Sequence, residues 1–273
     1  MFKIFIMAAL IFMGMVGYDS LTDTKAEPAA PAVKQEQKVS GRQAALAVFL
    51  ALLPAEDKWP EPVKKVFMAI SLEERLLPLR ERGSWTNLED MSPEIPKALI
   101  AIEDHDFYDH GAISLDGVLR AILANLNAGE VVQGGSTLTQ QMVKNVFLSG
   151  EQSMERKIEE AVLALAAESK LSKDEILELY LNTAYLGAGA TGVKEACSTY
   201  FNKKPAAVSL AEAAVLAALP YAPSLLNPLE NPEECKKRQL LVLNAMLKYG
   251  MITQGQLDKA KSETVYLANG RSL

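Results

Sequence analysis

The sequence predicts a mainly α protein, on three observations: helix-start signals recur along the chain, apolar residues repeat at helical spacing, and the alternation expected of β-strands is scarce. Ser92-Pro93-Glu94 places a cap and a proline at the first helical position and opens a helix toward Ile102. Leu115 to Leu126 repeats apolar residues at helical spacing, and Met154 to Leu171 is long and uninterrupted. Ser172 with Glu175 is a capping-box pattern, in which each side chain satisfies a free amide of the other, and it opens a helix through Leu181. Ser209 with Glu212 is a second such box, closed by Pro220. Asn231-Pro232 opens the last long helix, which Gly250 ends. Gly134-Gly135 and the stretch from Gly187 to Gly192 supply glycine-rich connections.

Three regions divide the 273 residues: an apolar leader over 1–18, a linker with a short apolar segment over 19–54, and a helical domain over 55–273. Residues 4 to 16 are apolar and follow Lys3. The run is shorter than the roughly 17–25 residues of a spanning helix, and within the roughly 7–15 of a secretory core. An uncleaved signal-anchor, a cleaved signal peptide and a buried helix are the readings it allows; the first two export the domain. Residues 19 to 41 are polar and proline-containing, as a solvated stalk is. Ala44 to Leu53 is too short to span and fits a core or interfacial helix. A net charge of −6 argues against general nucleic-acid binding. Two cysteines, Cys197 and Cys235, make no disulfide framework, and two histidines leave little room for a His-rich metal site.

Three clusters carry chemistry. Glu103-Asp104-His105-Asp106-Phe107-Tyr108-Asp109-His110 sets four acids after the apolar run Ala98 to Ile102. A carboxylate leaving an apolar helix loses solvent and gains proton affinity, as a general acid or base requires; a charged helix end facing water is the plainer alternative. Gln133-Gly134-Gly135-Ser136-Thr137-Leu138-Thr139-Gln140-Gln141 leads to Lys144. The glycines let backbone approach a ligand, Ser136 or Thr137 then caps a helix, and the free amides of that helix start attract anions. The order is not that of a nucleotide P-loop. In Arg156-Lys157-Ile158-Glu159-Glu160, Arg156 and Glu160 lie one turn apart, while Ile158, Val162 and Leu165 mark a different, buried face. Together the three describe a site for a sugar phosphate.

Glu-Asp-x-x-Phe-x-x-His, Gly-Gly-Ser-Thr-x-Thr-Gln-Gln, Arg-Lys-x-x-Glu and Lys-x-x-Ile-Leu-Glu-x-Tyr-Leu-Asn (Lys173 to Asn182) follow one another here. In this order they resemble the motifs of the peptidoglycan glycosyltransferase family, which includes monofunctional transglycosylases and the first domain of class A penicillin-binding proteins. Arg238 to Leu243 is similar to a fifth motif, and the resemblance covers about residues 88 to 250. Asp106, Ala112 and Gln239 depart from residues common in the family.

The resemblance implies a lysozyme-like helical head with a smaller membrane-facing jaw between the first two motifs. There Ile113, Leu115, Val118, Leu119, Ile122 and Leu123 would touch lipid or pack on the core. It implies lipid II and a growing glycan strand as substrates, no nucleic acid, other cell-wall synthesis proteins as partners, and a single-pass protein of the bacterial inner membrane with its catalytic domain outside. Glu103 would be the catalytic base. Glu160 would orient a cationic group, or bind Mg2+ or Mn2+. Lys144, Arg156 and Lys157 would hold the leaving diphosphate with the helix start at Ser136 and Thr137. Asp104, Phe107, His110, Gly135, Gln140, Gln141, Tyr180 and Asn182 would surround the substrate; for Gln140, Gln141, Tyr180 and Asn182, a polar network internal to the head is the alternative. The sequence carries no Ser-x-x-Lys or Lys-Thr-Gly pattern, so a monofunctional enzyme without transpeptidase chemistry is expected. A glycan-cleaving enzyme of lysozyme type and a non-catalytic cell-wall scaffold are the competing functions.

Overall fold

A helix begins where side chains can satisfy its free amides, and capping boxes do so at four helix starts, Thr137/Gln140, Ser172/Glu175, Ser209/Glu212 and Thr253/Gln256. The computed structural model describes residues 68–69, 71–128, 134–148 and 153–273, except the side chains of 73, 121–125, 127 and 128. The leader, the linker and the first residues of the predicted domain therefore lie outside the described residues, as do the side chains of Ile122 and Leu123. In chain order the helices are α1 (Leu72–Arg80), α2 (Glu94–Glu103), α3 (Leu115–Ala128), α4 (Leu138–Phe147) and α5 (Met154–Glu168). They continue as α6 (Lys173–Thr183), α7 (Val193–Phe201), α8 (Leu210–Ala218), α9 (Pro232–Lys248) and α10 (Gln254–Ser262). Among the described residues, extended pairing is limited to the isolated bridges Tyr185–Thr191 and Tyr266–Ser272.

The core is built around α8. Ala211 through Ala218 are all buried, and the helix packs on α2, α7, α9 and α10. Its small side chains allow close approach, and Val215 and Leu216 fill the space between neighbours. The one charge inside, Glu212, is paired with Lys203 Nζ at 2.6 Å and caps its own helix through Ser209 N at 3.0 Å. A second layer sets α4 against α5 and α6. At Gly192 (φ 83°) a side chain would meet the Asn182 carbonyl oxygen at 2.6 Å, so glycine lets the start of α7 close on the end of α6.

Four expectations are corrected. Pro93 is the N-cap of α2 rather than its first residue. Helix α5 turns the other way: Met154, Ile158, Val162 and Leu165 are exposed, while Glu160, Leu163, Ala164 and Ala167 are buried. Its small residues fit the tight contact with α4, which the bulkier stripe would hold apart. A further short helix outside the sequence expectation, α10, follows the last long one. The Ser136–Thr137 helix start is not open to an anion, as the site shows below. Cys197 and Cys235 are free and buried. Among the described residues no helix is long and apolar enough to cross a membrane.

Candidate active site

Helix α2 carries Ile95, Ala98, Leu99, Ile100 and Ala101 into the core, and ends on Glu103. The Glu103 side chain is partly open to solvent, yet the surrounding protein removes most of its hydration. That burial pushes its carboxyl above the ordinary carboxylate range, against the hydrogen bond from Gln141 and the charges of Arg238 and Lys144, with Asp104 adding to the rise. Gln141 Nε2 donates to Glu103 Oε2 at 2.9 Å, and Tyr180 OH donates to Gln141 Oε1 at 3.2 Å. The tyrosine fixes which end of the amide faces the carboxylate, so Glu103 keeps one oxygen held and the other available.

Asp104 has a different task. Its Oδ2 accepts the Leu138 amide at 2.9 Å, and its Oδ1 lies 2.6 Å from His110 Nε2. His110 Nδ1 lies 2.6 Å from the Gly111 carbonyl. Thr137 caps the same helix start, accepting from Gln140 N and donating to the Ala112 carbonyl at 2.7 Å, while Gln140 Oε1 accepts from Thr137 N. An aspartate of the protein thus occupies the anion position at the start of α4, the favourable end of the helix dipole. The Leu138 amide is therefore not the free anion-binding group expected of this helix start.

The cations stand on the neighbouring face. Lys157 Nζ donates to Ser136 Oγ at 2.8 Å and also bonds Glu160 Oε1. Glu160 is buried and has Lys157 as its partner, three residues away. No group of three histidine, cysteine or acidic side chains among the described residues could hold a metal ion, and Glu160 already faces an ammonium. The donor set does not fit a resident Mg2+ or Mn2+. Lys144 is exposed on α4 with its charge acting on Glu103, and Gly135 and Arg156 are half-buried near the same elements.

Several expected substrate contacts are supports. Phe107 is fully buried beneath Lys173 Nζ, 4.5 Å from the ring centre, and cannot touch substrate. Asn182 spends its amide on Thr86 N, Thr86 O and the Glu178 carbonyl. Gln140, Thr137 and Tyr180 are likewise buried and bonded within the head. Three residues outside the expected set enter: Arg238, Tyr221 and Arg120. Arg238 matched the fifth motif, so its signal was present in the sequence. Its guanidinium lies 4.0 Å over the Tyr221 ring. Arg120 donates to Asp106 Oδ2 at 2.9 Å, which gives the unusual Asp106 a partner from α3. Gln239 is fully buried and donates to the Ala211 carbonyl at 2.7 Å, binding α9 to α8 without a buried charge.

The model of the family described as transglycosylase matches residues 71–247, more than half of the chain. Glu103, at the end of an apolar helix and flanked by the motif residues just described, lies within that match. The chain is a member of the transglycosylase family, the peptidoglycan glycosyltransferases. Among its relatives, penicillin-binding protein 1A of Neisseria flavescens is 50% identical over 186 residues, covering 68% of this chain and 23% of that protein. Penicillin-binding protein 1A of Aquifex aeolicus is 46% identical over 180 residues, covering 66% and 25%. The chain spans about a quarter of the length of these curated relatives. The crystal structure of penicillin-binding protein 1A from Haemophilus influenzae matches at 34% identity and a TM-score of 0.34, over 47% of this chain and 17% of that one.

Proposed function

We propose that the chain polymerises lipid II into linear glycan strands, with Glu103 as the base. Glu103 takes the proton from the acceptor's sugar 4-hydroxyl as that oxygen forms a bond to the donor's anomeric carbon. The bond from that carbon to the diphosphate oxygen breaks, polyprenyl diphosphate departs with the electron pair, and the α linkage becomes β-1,4. Lys157, aimed by Glu160 and adjoining Ser136, and Lys144 and Arg156 meet the negative charge that develops on the leaving group. No step requires a metal held by the protein. The observation that carries this reading is the Tyr180–Gln141–Glu103 relay: it orients a carboxylate whose burial has raised its proton affinity.

Residues 4 to 16 serve in this reading as the membrane anchor, with the catalytic part on the outer face of the inner membrane. Exposed Leu115, Val118 and Leu119 on α3, with Ile113 just before it, support a lipid-facing jaw, because these apolar side chains remain open to solvent. Labelled lipid II incubated with the solubilised protein should give polymer. Glu103→Gln should lower the rate by about 100- to 10,000-fold, the usual contribution of a positioned base, with unchanged melting. Polymer from Glu103→Gln at near wild-type rate would remove the base assignment. Cleavage of preformed glycan without polymer would favour the lysozyme-type alternative.

A further inference from the structure

The loop that leaves Glu103 is held on two sides. Asp104 fastens it to the start of α4, through the Leu138 amide at 2.9 Å. The next two residues turn to a different partner, Arg120 on α3. Arg120 Nη2 donates to Asp106 Oδ2 at 2.9 Å, and Arg120 Nη1 donates to the His105 ring, 2.5 Å from Nε2 and 3.1 Å from Nδ1. His105 Nδ1 also lies 3.1 Å from Asp106 Oδ2. Burial holds the His105 ring below its ordinary pKa, against the pull of Asp106, so at neutral pH the ring is uncharged and can accept from a guanidinium. The ring also packs edge to face on Tyr249, just after α9, with centroids 3.8 Å apart. Three elements therefore meet here: α3, the loop from Glu103, and the end of α9, which itself packs on α2. Asp106 and Arg120 are half-exposed, so their ion pair alone is worth no more than about fivefold in an equilibrium. The His105 side chain is 13% exposed, and the bond to it is the drier of the two.

Leu115, Leu119 and Leu126 share one exposed face of α3, and Arg120 lies about 140° round the helix from Leu115. The guanidinium therefore holds the helix from behind, with the apolar face turned away. Among the described side chains of α3, Arg120 is the one bonded to the loop from Glu103. We propose that Arg120 is a positioning residue that seats α3 against His105 and Asp106, and so sets where a lipid-anchored substrate meets Glu103; this role rests on the lipid-facing reading of α3 above. Glu103 itself is held by α2 and by Gln141, so release of Arg120 loosens α3 and leaves the base in place. When α3 is seated in only a fraction of molecules, apparent affinity for the substrate falls by that fraction, while bound substrate reacts as before.

Hydrogen exchange of the full chain in detergent reads the seating of α3 without reference to activity. The α3 amides should exchange about fivefold faster or more in Arg120→Ala, which loses both bonds, and about two- to fivefold faster in Asp106→Ala, which leaves His105. Exchange in α8 should stay as it is. The swapped pair, Asp106→Arg with Arg120→Asp, should return α3 toward wild type. On lipid II, Arg120→Ala should raise KM by about threefold or more with kcat within about twofold of wild type. With a lipid II analogue of shortened tail, the variant and the wild type should have the same KM. Unchanged α3 exchange in both single variants would overturn the proposal, as would an equal rise in KM on the two substrates or a fall confined to kcat. A wild-type chain that makes no polymer would instead count against the proposed function, while the exchange rates still decide whether Arg120 seats α3.

Discussion

Helices α8 and α3 are both rich in apolar residues, yet their side chains end in opposite surroundings. In α8 every residue from Ala211 to Ala218 is buried, including a glutamate that has found a lysine. In α3, Leu115 is 75% exposed, Leu126 73% and Leu119 59%. The difference is that α8 is flanked by four helices with small residues at the contacts, whereas the apolar side of α3 has no such cover among the described residues. Apolar patterning states that a face will leave water. It does not state whether protein or lipid will receive it. Helix α5 repeats the lesson, with small residues turned inward and the stripe Met154, Ile158, Val162 and Leu165 left outside.

The contrast can be broken by substitution. Leu216→Ala in α8 removes a buried side chain from a filled space and should cost about 2–5 kcal/mol in denaturant unfolding. Glu212→Leu should cost less, about 1–3 kcal/mol, because it loses a helix cap and strands Lys203, whose partly exposed head can turn to water. The double change Leu115→Ser with Leu119→Ser should alter stability by no more than about 0.5 kcal/mol, since neither side chain packs on the core. The same variant should sediment less with lipid vesicles than the wild type. A large loss of stability in that variant would show that α3 is a core helix after all, and the contrast with α8 would disappear.

What the sequence made legible follows the range of the interactions. Capping boxes are local, so the starts of α6 and α8 were readable from Ser172 and Glu175, and from Ser209 and Glu212. The box of Thr253 and Gln256 is equally local, and α10 was missed because its apolar pattern is weak around only two buried residues, Leu257 and Ala260. Glu103 was legible because an apolar helix leading into a carboxylate is itself a statement about burial. The direction faced by α5 was not legible, because the helix is apolar on both sides and periodicity alone cannot choose between them. Nor was the work of Asp104, Asn182 and Phe107, whose partners are set by tertiary packing rather than spacing.

The bond from Asp104 to the Leu138 amide joins residues 34 apart in the chain. It is a clasp: the floor of the site is closed there, whatever route the intervening segment takes. Loop closure costs free energy only logarithmically with length, about 0.6 kcal/mol for each doubling. The segment proposed to meet the bilayer can therefore grow, shrink or change its apolar residues without disturbing Glu103, the proposed base. In evolutionary terms the clasp separates the part of the enzyme that must adapt from the part that must not.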